Sequence, residues 1–240
     1  MRKQMICDNY REVFTKEFFM GPNSMRLLEE MLNHCPLKAG SRVMDLGCGR
    51  GLTTLYLAKE TGVQVYATDL WIDATVNAET FEQWGIGESV IPIHADVHDL
   101  PYARNYFDAI VSVDSYEYFG KKEGFFEEKI MPYLKKDGVA VIALPGLAKE
   151  LNAEQREMFL EWVNGDEDEL DDFHTRQWWN KLLEKGSGYE ILESFEMECG
   201  DIAWQEWFES GHEFGIRDKS FFERGMDEAL SFIGLVIRRK

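Results

Sequence analysis

The chain has 240 residues, of which 45% are apolar and 13% aromatic, enough for a sizeable core and too many for a disordered segment. A formal net charge of -18 repels phosphate backbones, and the one dense basic run, Arg238-Arg239-Lys240, closes the chain, so no nucleic acid partner is expected. Cys7, Cys35, Cys48 and Cys199 form no CxxC pair and the five histidines lack ligand spacing, which argues against a metal site and a disulfide framework.

In chain order, residues 10–35 read as helix, with Leu27, Leu28, Met31 and Leu32 at helical spacing and Pro36 as the stop. Residues 42–46 read as a strand. Leu52 to Thr61 reads as a helix ended near Gly62, and Val63 to Thr68 as the second strand. A polar helix follows at about 72–84. Val90 to Ala95, Phe107 to Val113 and Val139 to Leu144 are the third, fourth and fifth strands, with a helix-like stretch at Phe125 to Leu134. Residues 146–188 exceed a simple crossover and hold six acids within 164–172, read as a solvated loop. A helix and sixth strand then occupy "FHTRQWWNKLLEKGSGYEILESF", a second insertion spans about 200–228, and "SFIGLVIRRK" is the seventh strand. Strands alternating with helices predict an α/β, doubly wound sheet, mostly parallel and covered on both faces.

The first strand runs into "VMDLGCGRG", where Gly47, Gly49 and Gly51 follow one another at alternate positions. Glycine is costly inside an element, so three together predict a turn that something approaches closely. The turn opens a helix whose free amides face the crevice beyond the strand ends. The G-x-G-x-G spacing departs from the G-x-G-x-x-G dinucleotide fingerprint. Asp69 ends the second strand 18 residues after Gly51, close to where an acid accepts from ribose hydroxyls. Asp96 ends the third strand, placed to accept from an adenine amino group. For each acid a helix-cap role is the structural alternative.

Three motifs in register give the chain a resemblance to the class I S-adenosylmethionine-dependent methyltransferases: Asp45-Leu46-Gly47-Cys48-Gly49-Arg50-Gly51, Asp69, and Ala95-Asp96 with Leu100-Pro101. "FDAIVSVDSYEYFG" and the "LKKDGVAVIA" strand entry complete the pattern over about 40–145. The stretch "SVDSYEYFG" is similar to small-molecule enzymes related to the ubiquinone-biosynthesis and cyclopropane-fatty-acid groups. The resemblance implies a Rossmann-like seven-stranded sheet with an antiparallel last strand. It also implies a cofactor-binding set of Asp45, Gly47, Cys48, Gly49, Gly51, Asp69, Leu70, Asp96, Val97 and Asp114. S-adenosyl-L-methionine is the implied cofactor and S-adenosyl-L-homocysteine its product.

Methyl transfer needs a base only when the acceptor arrives protonated. Asp114, Tyr116, Glu117 and His174 are the candidate catalytic residues, with aromatic packing as the alternative for the tyrosine. The expected organisation is a single domain over 1–240: an N-terminal helical cap (1–40), a cofactor-binding half (41–145) and lids at 146–188 and 200–228. Trp178, Trp179, Trp204 and Trp207, with Glu198, Asp201 and Glu206, suggest a pocket for a cationic or amine-bearing acceptor, against the plain reading as core. The expected function is methyl transfer to a small molecule. The alternatives are a cyclopropane-fatty-acid-type lipid modifier, disfavoured by the acidic surface, and a non-catalytic binder of the cofactor. The N-terminus lacks a signal-peptide core and the strongest apolar run is too short to span a bilayer, so a cytoplasmic protein without membrane insertion is expected.

Overall fold

The computed structural model describes residues 5–240, so the first four residues of the expected 1–40 cap lie outside the described residues. Seven strands form one sheet in the order β3-β2-β1-β4-β5-β7-β6. They are β1 (Arg42–Leu46), β2 (Gln64–Asp69), β3 (Val90–His94), β4 (Phe107–Val113), β5 (Leu134–Leu147), β6 (Tyr189–Glu196) and β7 (Leu230–Arg239). The pairs β1–β2, β2–β3, β1–β4 and β4–β5 are parallel. β7 is antiparallel to both neighbours, inserted between β5 and β6, as the resemblance implied. The central strands are buried on both faces, so they appear in sequence as unbroken apolar runs rather than alternations.

Helices α1 (Ser24–His34), α2 (Leu52–Tyr56), α3 (Ala74–Gln83) and α4 (Glu117–Gly120) belong to the first half. The second half adds α5 (Ala153–Trp162), α6 (Glu167–Leu170), α7 (Arg176–Leu183), α8 (Gly200–Glu209) and α9 (Glu213–Phe222). Two differences from the periodicity reading have clear causes. The first helix starts at Ser24, not near residue 10. Pro22 disfavours helix for the residue before it, and the Asn23 side chain caps α1 by accepting from the amides of Met25 and Arg26. Ahead of it, Ile6–Val13 is a 3-10 segment. β5 outruns the apolar run Val139 to Leu144 because Pro145, Gly146 and Leu147 pair with Phe232, Ser231 and Leu230 of β7, a long-range contact hydropathy does not register.

The acid-rich stretch expected as a loop folds into α6, capped by the Asp166 side chain. Trp162 of α5, Trp179 of α7, and Trp204 and Trp207 of α8 are core: Trp179 is fully buried, and Trp162 and Trp207 donate their indole N–H groups to the two oxygens of Asp218 at 2.7 and 2.8 Å. That sharing satisfies both indoles inside an apolar layer, where an unmet donor is expensive.

Arg26, 1% exposed, fastens the N-terminal segment to this layer. Its guanidinium donates to both oxygens of Glu206 on α8 (2.7 and 2.5 Å) and to Asp8 (2.7 Å). Glu29, one turn along α1, accepts from the amides of Ile6 and Cys7 at 2.7 Å each. A forked guanidinium suits this bidentate, buried geometry. Replacing Arg26 by Ala leaves buried Glu206 with only the exposed Arg11, 3.7 Å away, and is expected to cost about 3 kcal/mol. Urea denaturation monitored by tryptophan fluorescence measures it.

Candidate active site

The turn after β1 is where the backbone does something side chains forbid. Gly47, Gly49 and Gly51 all take positive φ (+74°, +52° and +91°). A Cβ on Gly47 would stand 2.3 Å from the Ser115 hydroxyl oxygen, and one on Gly51 2.4 Å from the Phe81 ring, so conformation and space both require glycine. Asp69, at the end of β2, holds this turn. Its carboxylate accepts from the Gly49 amide at 2.7 Å and from the amides of Trp71 (2.7 Å) and Ile72 (2.9 Å). One side chain thus joins the loops following β1 and β2.

Beyond the carboxyl ends of β1–β4 lies a cavity of about 270 Å³. Gly47, Cys48 and Gly49 form its floor. The ends of β2 and β3 contribute Asp69, Leu70 and Trp71, and Asp96, Val97 and His98. The end of β4 contributes Val113, Asp114 and Ser115, and α4 adds Tyr118 and Phe119. Residues 18–22 cover it, with Met20 lying 3.0 Å from where a Gly49 Cβ would be. The cover is pinned through Asn23, whose amide donates to the Ala203 carbonyl and whose side chain donates to Glu206.

Asp114 has a positive φ (+54°), and its amide donates to the Ala143 carbonyl. The cover rests against its carboxylate, which a Cβ on Gly21 would meet at 2.4 Å. Burial, with no cation or hydrogen bond opposing it, pushes the Asp114 carboxyl up to about 7. Three residues on, Glu117 is 1% exposed and neither of its oxygens has a hydrogen-bond partner. Burial and the neighbouring Asp114 push its carboxyl well up, so it is held as the neutral acid. Asp96 binds the His98 amide and ring through Oδ1 alone, which leaves Oδ2 free of both bonds.

Residues 44–142 match the sequence pattern of a methyltransferase domain. Over that stretch the chain is similar to a methyltransferase domain. Phosphoethanolamine N-methyltransferase 1 of Triticum aestivum is 31% identical over 138 residues, 56% of this chain and 26% of that protein. Norajmaline N-methyltransferase of Rauvolfia serpentina is 29% identical over 111 residues, 44% of this chain and 38% of that protein. The matches thus span well under half the length of these curated relatives. In fold, the chain is similar to a putative sarcosine dimethylglycine methyltransferase from Galdieria sulphuraria, with a TM-score of 0.72 at 18% identity over 89% of this chain and 85% of that one.

Of the methyltransferase residues expected to meet the cofactor, Gly47, Cys48, Gly49, Asp69, Leu70, Asp96, Val97 and Asp114 line the one cavity. Asp45 and Gly51 do not. Asp45 is buried below the turn, where its Oδ2 accepts from the hydroxyls of Thr53 (2.8 Å) and Thr54 (2.6 Å) and ties β1 to α2. Gly51 caps α2 against Phe81. Of the catalytic candidates only Asp114 reaches the cavity. Tyr116 is packed between Phe119 and Trp179, and Glu117 lies buried behind Asp114. His174 stacks flat on Trp178, with centroids 3.5 Å apart, and burial lowers its pKa.

The expected lids at 146–188 and 200–228 contribute no lining residue, and neither do Trp178, Trp179, Trp204 or Trp207. Trp179, Trp204 and Trp207 are buried in the core, and Trp178 is partly buried against His174. Glu198 and Asp201 are exposed, and Glu206 is taken by Arg26. Tyr118, which follows β4 at the acceptor side, and Phe18 and Phe19 of the N-terminal segment expected to close over the cofactor do line the cavity, whereas Met20, Gly21, Pro22 and Trp71 carry no sequence signal of their own for that role. The break at Gly21-Pro22-Asn23 was the available signal for the cover. Among the described residues no group of three or more His, Cys, Asp or Glu is arranged to hold a metal ion, and no helix is long and apolar enough to cross a membrane.

The glycine floor that a side chain would fill, with acids at the ends of β2 and β3, suits a nucleoside bearing an amino-acid tail. Hydrogen exchange with and without S-adenosylhomocysteine tests which segment closes. Slowing is expected in residues 14–24 and not in 153–170, the reverse of what a lid at 146–188 requires.

Proposed function

We propose that this chain binds S-adenosylmethionine in the cavity and transfers its methyl group to a small-molecule amine. The observation that carries the reading is the set of three acids, Asp69, Asp96 and Asp114, disposed at the ends of β2, β3 and β4 around one glycine-floored cavity. In this reading the unused capacity of the Asp69 carboxylate takes the ribose hydroxyls. Asp96 takes the adenine amino group, with Leu70 and Val97 against the ring. Gly47, Cys48 and Gly49 leave room for the methionine part.

The bound cofactor supplies an activated sulfonium methyl, and the protein supplies position and electrostatics. Asp114 stands at the methyl end. An amine arriving as an ammonium ion gives one proton to the Asp114 carboxylate. With the methyl donor bound, the lone pair freed by Asp114 would be the nucleophile that displaces the sulfonium, and the neutral thioether would leave with the C–S electrons. A carboxyl lifted to about 7 is matched to that task near neutral pH. Glu117, as a buried neutral acid, leaves the pair with a single negative charge. The relatives named as N-methyltransferases support an amine acceptor. Cytoplasmic placement, read from the scattered cysteines, belongs to the same proposal, as does the expectation that the acidic chain avoids nucleic acid.

Two measurements test this. Gly49→Val is expected to abolish S-adenosylhomocysteine binding by calorimetry while the protein stays folded, and Asp69→Ala to weaken it by about 1.5–3 kcal/mol. Unchanged affinity in either variant sinks the assignment. Only ionised Asp114 accepts the proton, and its pKa is raised, so kcat/KM for an amine should climb as pH rises through about 7 and level off above. Asp114→Asn should remove that limb; a profile flat from pH 5.5 to 8.5 in the unmodified protein refutes the base.

A further inference from the structure

The charge and surface at the mouth of the cavity bear on the acceptor's chemical class. The basic side chains in the lining are Arg50 and His98. Arg50 belongs to the glycine turn, and His98 is bonded to Asp96 at 2.7 Å, on the adenine side of the proposed site. At the β4 end the charged lining residue is Asp114, backed by Glu117. Lys121, one turn further along, is held away by Asp172 at 2.6 Å and does not line the cavity. A phosphate or carboxylate placed there would meet like charge with no cation to offset it, in a setting dry enough to lift Asp114's own pKa.

The rim is aromatic and exposed. Trp71 is 65% and Tyr118 50% exposed, yet their rings pack edge to face at 5.5 Å, and Phe18 and Phe119 also line the cavity. Leu70 and Met20, 50% and 45% exposed, extend the same patch. Contiguous apolar surface around a concavity marks a binding site more often than chance exposure. Aromatic faces next to an unpaired carboxylate favour a cation with an apolar body.

On the reading proposed above, we infer that the acceptor is an apolar amine carrying no acidic group, its nitrogen against Asp114 and its body against Trp71 and Tyr118. This separates the chain from acceptors of the kind named for two of its relatives, phosphoethanolamine and sarcosine, both of which carry an acid. It also moves the aromatic recognition element from the C-terminal tryptophans, which are core, to the loop after β2 and the start of α4.

Calorimetry on the protein saturated with S-adenosylhomocysteine tests the inference, with phenethylamine, phenylalanine and phosphoethanolamine as probes. Phenethylamine and phenylalanine differ only by a carboxylate. Phenethylamine is expected to bind at least tenfold more tightly than either acid-bearing probe. Trp71→Ala, a change at an exposed site that leaves the fold intact, should weaken it at least fivefold. Asp114→Asn should erase the preference for phenethylamine over 2-phenylethanol. Equal or tighter binding of phenylalanine or phosphoethanolamine, no binding of phenethylamine, or an unaffected Trp71→Ala variant overturns the inference. A protein that fails to bind S-adenosylhomocysteine at all instead refutes the underlying cofactor reading.

Discussion

The site depends on the carboxylate of Asp69. Three backbone amides, from Gly49, Trp71 and Ile72, converge on it. An ionised acceptor bonded to several N–H groups is among the stronger arrangements a protein can build, and here it spans two loops that neighbouring parallel strands only bring close. With it in place, the glycine turn is held open at left-handed angles and Trp71 is set at the rim. The remaining capacity of the same carboxylate faces the cavity. Structural work and the proposed ligand contact therefore fall on one residue, and Asp69 variants will show both effects together.

Below the turn, Asp45 does related work without reaching the cavity. Its Oδ2 gathers the hydroxyls of Thr53 and Thr54, while Oδ1 has no partner, and burial lifts its carboxyl to about 6. Asp114 and Glu117 are lifted by burial too, but Asp114 opens onto the cavity. Equal acidity in sequence thus resolves into three roles: a tie between β1 and α2 by Asp45, a tie between loops by Asp69, and a titratable group opening onto the cavity at Asp114. The surrounding structure sets the difference through solvent access and the number of donors each oxygen meets.

The roof of the cavity is assembled from distant parts of the chain. Residues 18–22 lie over the glycine turn because Asn23 and Arg26 both reach Glu206 on α8. The C-terminal insertions thus contribute by anchoring the cover, not by lining the cavity.

The sequence by itself determined the sheet and the floor of the site. Apolar runs bounded by turns marked the strands, because strands buried on both faces leave that trace. Gly47, Gly49, Asp69 and Asp96 were legible because each position demands one residue type, for left-handed backbone or for a paired acceptor. Tertiary structure alone decided the rest. Whether an aromatic is core or rim depends on what packs over it: Trp179 and Trp207 are covered, whereas Trp71, with the same local polarity, is not. Whether an acid is a base or a tie depends on partners far along the chain, as with Glu206 and Arg26. Residues 10–35 read as one helix although Gly21-Pro22-Asn23 marks a break; the fold shows that Asn23 caps a helix starting at Ser24. Local pattern encodes what the backbone must do at each position; which surfaces meet is a property of the whole fold.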